Sequence, residues 1–158
     1  LSVGIGMALA ATMDSCGYRT YVLMGDGEQG EGSIYEAAMA ANQYHLDNLV
    51  AIIDRNHLQI SGDTEAVMAI ENIRNKWSAF GWDVIEMNGD DVEDIVNTFH
   101  SIDYTNHKPH LLISHSTKGL GVSFMEGVAE WHHGVPSEEQ YHQAIIDIEA
   151  RISKLEEE

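Results

Sequence analysis

Tyr21-Val22-Leu23-Met24-Gly25-Asp26-Gly27 decides the fold: an apolar run of strand length ends on a carboxylate set between two glycines. A second apolar run, Leu49-Val50-Ala51-Ile52-Ile53, ends in a similar way on Asp54-Arg55-Asn56. Short continuous apolar runs belong to strands covered on both faces, as in a parallel sheet. Two such strands in one parallel sheet bring Asp26 and Asn56 to the same edge, where open α/β sheets bind ligands. Magnesium takes one or two protein carboxylates and completes its octahedron with water and phosphate oxygens, which suits one Asp and one Asn. A main-chain carbonyl just past Asn56 supplies a third oxygen in this reading. Gly25 and Gly27 remove side chains where a phosphate must approach the backbone. The stretch therefore reads as a clamp for magnesium and a diphosphate.

The surrounding pattern alternates helices and strands. Leu1, Ile5, Ala8, Leu9 and Met13 recur at helical spacing and Gly17 stops that helix before a strand at 20–24. Ser33-Ile34-Tyr35-Glu36 is a capping-box sequence and opens a second helix whose positive end faces the glycine loop. After a loop through Ser61-Gly62-Asp63, a third helix is expected from Ile70, Ile73, Trp77 and Phe80, then a strand at 82–87 and a turn at Asn88-Gly89-Asp90. Val92, Ile95, Val96, Phe99 and Ile102 stripe a fourth helix, and a strand follows at 111–114. The glycine-rich stretch 117–136 has no period, which in so long a connection marks a functional loop or disorder. Ser137-Glu138-Glu139-Gln140 caps a last amphipathic helix over 137–155. The order implies an α/β fold, a parallel sheet with helices on both faces, without fixing the strand order.

At 158 residues one domain is expected. The formal charge of -18 excludes nucleic acid as a partner, because phosphate backbones are held by clustered Lys and Arg. It also sits badly with a diphosphate, so a cation must supply the local positive charge and binding should depend on metal. Glu156-Glu157-Glu158 reads as a solvated tail. No apolar run reaches the ~20 residues of a membrane span and no secretion signal is visible, so the cytoplasm is expected and a membrane is not. Cys16 is the single cysteine and reads as a small hydrophobe near a helix end. The chain opens on Leu1 inside a helical pattern, and 1–158 is read as a single, incomplete domain.

Three ordered motifs carry a family resemblance. Gly25-Asp26-Gly27-Glu28-Gln29-Gly30-Glu31-Gly32 resembles the G-D-G-x-x-x-E-G of transketolases, Asn56-His57-Leu58-Gln59-Ile60-Ser61-Gly62 their N-G-I-x-I-x-G, and His133-Gly134-Val135-Pro136 their H-G-x-P. Lys118-Gly119-Leu120-Gly121-Val122-Ser123-Phe124-Met125-Glu126 is most similar to the amino-terminal subunits of split transketolases. The resemblance implies the thiamine-diphosphate-binding fold, with thiamine diphosphate and Mg2+ as cofactors. It implies transfer of a two-carbon ketol unit between sugar phosphates, as in the pentose phosphate pathway. It also implies a homo- or heterodimeric assembly in which a C-terminal subunit or domain binds the pyrimidine, so that this chain alone is inactive. The alternatives are a deoxyxylulose-phosphate synthase and a non-catalytic scaffold remnant.

Under that resemblance Asp26, Asn56 and the carbonyl of Leu58 hold the metal. Gly25, Asp26, Gly27, Asn56, Leu58 and Ile60 contact the cofactor, with Ile60 as a wall against the thiazolium rather than plain core. Glu31 stays open between a favourable charge at a helix start and a catalytic position where two active centres meet. His133, on the loop 117–136, is the catalytic histidine, and His132 is its neighbour. Lys118 is left outside the site as a solvated charge. His57 stands where the family often has Gly, so a positive φ there would cost His what Gly avoids.

Overall fold

The computed structural model describes residues 1–156, so Glu157 and Glu158 of the acidic tail lie outside the described residues. Four parallel strands, β1 (Thr20–Gly25), β2 (Leu49–Arg55), β5 (Asp83–Asn88) and β6 (His110–His115), form a sheet in the order β1-β2-β6-β5. Two short strands, β3 (Leu58–Gln59) and β4 (Gly62–Asp63), pair as an antiparallel hairpin. The helices are α1 (Ser2–Met13), α2 (Gly32–Gln43), α3 (Thr64–Val67), α4 (Ile73–Ala79), α5 (Val92–Ser101) and α6 (Glu138–Glu156).

The strands run one way from β1 through β2 to the far edge at β5, and the chain then steps back to β6. A right-handed crossover changes face when the direction of travel reverses, so α5 covers the opposite face from α2 and α4. The core divides accordingly. Ala51, Ile53, Leu111, Ile113 and Val84 pack with α1, α2 and α4, whereas Val50, Leu112 and Met87 pack on the other face beside Ile95 and Phe99 of α5. On the first face Trp77 and Trp82 meet edge to face with centroids 4.7 Å apart, and Trp82 Nε1 donates to the Ala38 carbonyl at 3.0 Å.

Several local expectations are corrected. The Ser33 capping box does not form, because α2 already starts at Gly32 with Glu31 at its N-cap, and the Ile34 N–H bonds the Glu31 carbonyl at 3.1 Å. A 3-10 turn over Gly27–Gly30 delivers the chain there early. The segment through Ser61 and Gly62 is the β3/β4 hairpin rather than loop. Asn72, whose side chain accepts from the Asn75 N–H, caps α4, so Ile70 lies ahead of that helix although it is buried. Tyr21 and Leu23 of β1 are exposed despite their apolar run, since α5 packs mainly over the other three strands and meets β1 through the Phe99 and Tyr21 rings, 6.0 Å apart. Cys16 is exposed.

The segment 117–136 is held by several contacts: Trp131 Nε1 donates to the Phe124 carbonyl at 3.0 Å with the two rings 5.2 Å apart, the Gly127 N–H bonds the Lys118 carbonyl at 2.9 Å, and the Ser123 N–H bonds Asp147 Oδ2 of α6 at 2.8 Å. Gly119 turns there with φ +75, and a Cβ on it would come within 2.6 Å of the Met125 carbonyl oxygen. At the start of α6 the Ser137 capping box is complete, with Ser137 N–H to Gln140 Oε1 at 2.9 Å and Gln140 N–H to Ser137 Oγ at 3.2 Å. Among the described residues no helix is long and apolar enough to cross a membrane.

Candidate functional site

The parallel register places Gly25 beside Asp54, and the Asp26 N–H donates to the Asp54 carbonyl at 3.2 Å. Asp26 and Asn56 thus leave adjacent strands at the same end of the sheet, where a cavity of about 490 Å³ opens. Its wall includes Gly25, Asp26, Gly27, Glu31, Asn56, Leu58 and Ile60, seven of the residues singled out in the sequence. Ile60 is 67% exposed, so it is rim and not core.

Asp26 is only 1% exposed, and three donors hold its carboxylate. Its Oδ2 accepts from Arg55 Nη1 at 2.8 Å and from the His57 N–H at 2.9 Å, and its Oδ1 accepts from the Thr64 hydroxyl at 3.2 Å. A carboxylate has about four lone-pair positions, so one remains on Oδ1. Asn56 Oδ1 accepts from the Leu58 N–H at 3.0 Å, while its Nδ2 donates to Asp54 Oδ2 at 2.9 Å. The amide is therefore oriented with its oxygen towards the turn, and that oxygen keeps a second lone pair. The turn requires His57 at φ +65, the left-handed conformation in which Gly would be unstrained.

A hard cation with a diphosphate fits the side-chain donors here, one carboxylate and one carboxamide, both oxygen. At Gly27 a Cβ would lie 3.0 Å from Gln59 Oε1, so the missing side chain lets Gln59 pack closely against the turn. The Gly25 N–H already holds a carboxylate oxygen, Glu28 Oε2, at 2.5 Å, so an anion suits that amide.

Arg55 was not singled out as a site residue in the sequence. It is 1% exposed and bonds Glu65 and Glu71 as well as Asp26. Burial opposes its charge, but the hydrogen bonds and negative charges of Asp26 and Glu71 outweigh burial and hold its pKa above the ordinary value. For Glu71, burial pushes the pKa up, and the Ile73 N–H and Arg55 more than reverse that and leave it lowered. Lys118, set aside as a solvated charge, lines the cavity, because β6 lies beside β2 and releases the chain there.

The histidines fall differently from the sequence expectation. His132 is on the cavity wall and His133 is not. The 3-10 turn Ala129–His132 ends at His133, with φ -145 and ψ 16, and Gly134 sits under Trp131 where a Cβ would come within 2.8 Å of the indole. The two imidazole centroids are 6.4 Å apart. Glu31 reaches the wall from the N-terminus of α2, where a negative charge is favoured.

A parallel α/β sheet with oxygen donors at adjacent strand ends is the layout of a phosphate-binding domain with its crevice outside the carboxyl ends. The chain matches the family model described as transketolase, thiamine diphosphate binding domain, over residues 8–147, and it belongs to that family. It is 73% identical over 158 residues to an apulose-4-phosphate transketolase subunit from Phocaeicola vulgatus, covering 100% of this chain and 56% of that protein. It is 38% identical over 148 residues to the 6-deoxy-6-sulfo-D-fructose transketolase subunit SqwG of a Clostridium species, covering 94% and 54%. The chain thus spans about half the length of these curated relatives. The transketolase of Campylobacter jejuni superposes with a TM-score of 0.78 at 33% identity, over 90% of this chain and 23% of that one.

Proposed function

We propose that this chain forms the diphosphate-anchoring part of a transketolase that moves a two-carbon ketol unit from a ketose phosphate to an aldose phosphate. The observation that carries the reading is the delivery of Asp26 and Asn56 to one cavity from adjacent strand ends. In it, Asp26, Asn56 and the Leu58 carbonyl hold Mg2+, Gly25 and Gly27 admit the diphosphate, and Ile60 walls the thiazolium. Thiamine diphosphate, held by these residues, would supply the nucleophilic carbon that ketol transfer needs. His133 hydrogen-bonds substrate oxygens near the reacting carbon, and His132 shapes the wall beside it. Glu31 faces the companion active centre.

The name of the Phocaeicola relative supports apulose 4-phosphate as the ketose donor, and its being one subunit of a transketolase supports a second polypeptide that brings the pyrimidine-binding half. Calorimetric titration of thiamine diphosphate with and without Mg2+ tests the anchor. Binding is expected only with the metal, and equal affinity in its absence refutes the assignment of Asp26 and Asn56. A scaffold that has lost the function would bind in neither condition.

A further inference from the structure

Arg55 ends β2, is buried, and has no task in the function proposed above. A buried guanidinium is tolerated only where well-placed carboxylates surround it. Here they come from three separate places: Asp26 after β1, Glu65 in α3 and Glu71 ahead of α4. Nη2 donates to Glu65 Oε1 at 2.7 Å and to Glu71 Oε1 at 2.9 Å, and Nε reaches the same Glu71 oxygen at 3.2 Å. Both glutamates are themselves held, Glu65 Oε2 by the Ile70 N–H and Glu71 Oε2 by the Ile73 N–H, each at 3.1 Å.

The consequence lies in the turn between Arg55 and Thr64, which carries Asn56, Leu58 and Ile60. At its start the Arg55 guanidinium and the His57 N–H hold Asp26 Oδ2, and at its end the Thr64 hydroxyl holds Oδ1. The carboxylate is thereby fixed in rotation, with its remaining lone pair on one oxygen. We propose that Arg55 is a positioning residue of the metal anchor: braced by Glu65 and Glu71, it fixes the Asp26 carboxylate relative to the Asn56 turn so that one magnesium diphosphate engages both. The proposal rests on the reading of Asp26 and Asn56 as metal ligands. Lysine cannot replace Arg55 here, because a single ammonium does not span three carboxylates in a planar fork.

The test titrates the full-length protein in its native assembly with thiamine diphosphate at a series of Mg2+ concentrations, as wild type, Arg55→Lys and Glu71→Gln. Glu71→Gln removes one arm of the brace while Asp26 and Glu65 still partner the buried guanidinium. The Mg2+ concentration giving half-maximal binding is expected to rise ~10-fold or more in Arg55→Lys, the usual effect of losing an outer partner of a metal ligand. A smaller rise is expected in Glu71→Gln, alongside a lower urea midpoint from the lost carboxylate. A purely structural role would move urea midpoints and leave the Mg2+ requirement of the folded protein at the wild-type value, which overturns the proposal. If Arg55→Lys does not fold, Glu71→Gln decides in the same way. Wild-type binding that ignores Mg2+, or fails at every concentration, overturns the anchor itself and this proposal with it; normal wild-type binding with unmoved variants overturns the role of Arg55 alone.

Discussion

His110 opens β6 with 0% exposure, and neither ring nitrogen has a hydrogen-bond partner among the described residues. Asp83 Oδ2 is 3.5 Å from Nδ1, and the Tyr104 ring packs edge-on with its centroid 5.4 Å away. Burial lowers the His110 pKa below its ordinary value, against the attraction of Asp83 and Asp47. The unfolded chain therefore takes up this proton at a higher pH than the folded one. Its contribution to stability is complete above the unfolded pKa of ~6.5 and is lost as the pH falls towards the folded value. The loss follows a slope of at most ~1.4 kcal/mol per pH unit, so between pH 6.5 and 5 the ceiling is about 2 kcal/mol.

His110→Leu removes both the titration and the unpartnered nitrogens. At pH 8 it is expected to match or exceed wild type, by up to ~1 kcal/mol, because a buried polar atom without a partner costs about that much or more. At pH 5 the advantage should widen by up to ~2 kcal/mol, or roughly 4–8 °C in melting temperature for a domain of this size. Urea unfolding at half-unit steps from pH 8 to 5 measures both. Parallel stability curves for the two proteins would refute the assignment of this titration to His110, and a marked loss at pH 8 would show that the imidazole has a partner after all.

Three further outcomes follow from the site and its loops. His57→Gly should leave the protein unchanged or stabilise it by up to ~1 kcal/mol, since relief at φ +65 is partly offset by the freer unfolded chain; a loss above ~0.5 kcal/mol in urea unfolding would contradict this. Gly119→Ala should cost at least ~1 kcal/mol and speed proteolysis within 117–136, because it puts a Cβ against the Met125 carbonyl at φ +75. In turnover assays with the partner half supplied, His133→Ala should lower kcat ~100-fold or more and His132→Ala less than tenfold; the reverse order would transfer the role to the residue on the cavity wall.

The framework was legible because apolar runs and their carboxylate stops are local signals. Once both runs were read as strands of one parallel sheet, Asp26 and Asn56 had to share an edge. Lys118 was missed for the complementary reason: its approach to the cavity depends on β6 lying next to β2, and strand order is not written in any one segment. Arg55 left a usable trace. It continues the alternation of Ala51 and Ile53, whose side chains enter the first-face core, so strand period two already pointed an arginine inward. Its partners Glu65 and Glu71 lie beyond the hairpin, where charged residues by themselves look like solvated surface. The Ser33 box misled because a 3-10 turn and Gly32 close the first helical turn earlier than the capping pattern requires.

The tryptophans give this domain two separable optical reporters. Trp77 and Trp82 sit together in the interior, so their emission tracks global melting, whereas Trp131 is only partly covered and immediately precedes the two loop histidines. A chain keeping only Trp131 would signal rearrangement of the 117–136 segment on ligand addition without interference from the core, and one lacking it would be blind to that event while still reporting denaturation.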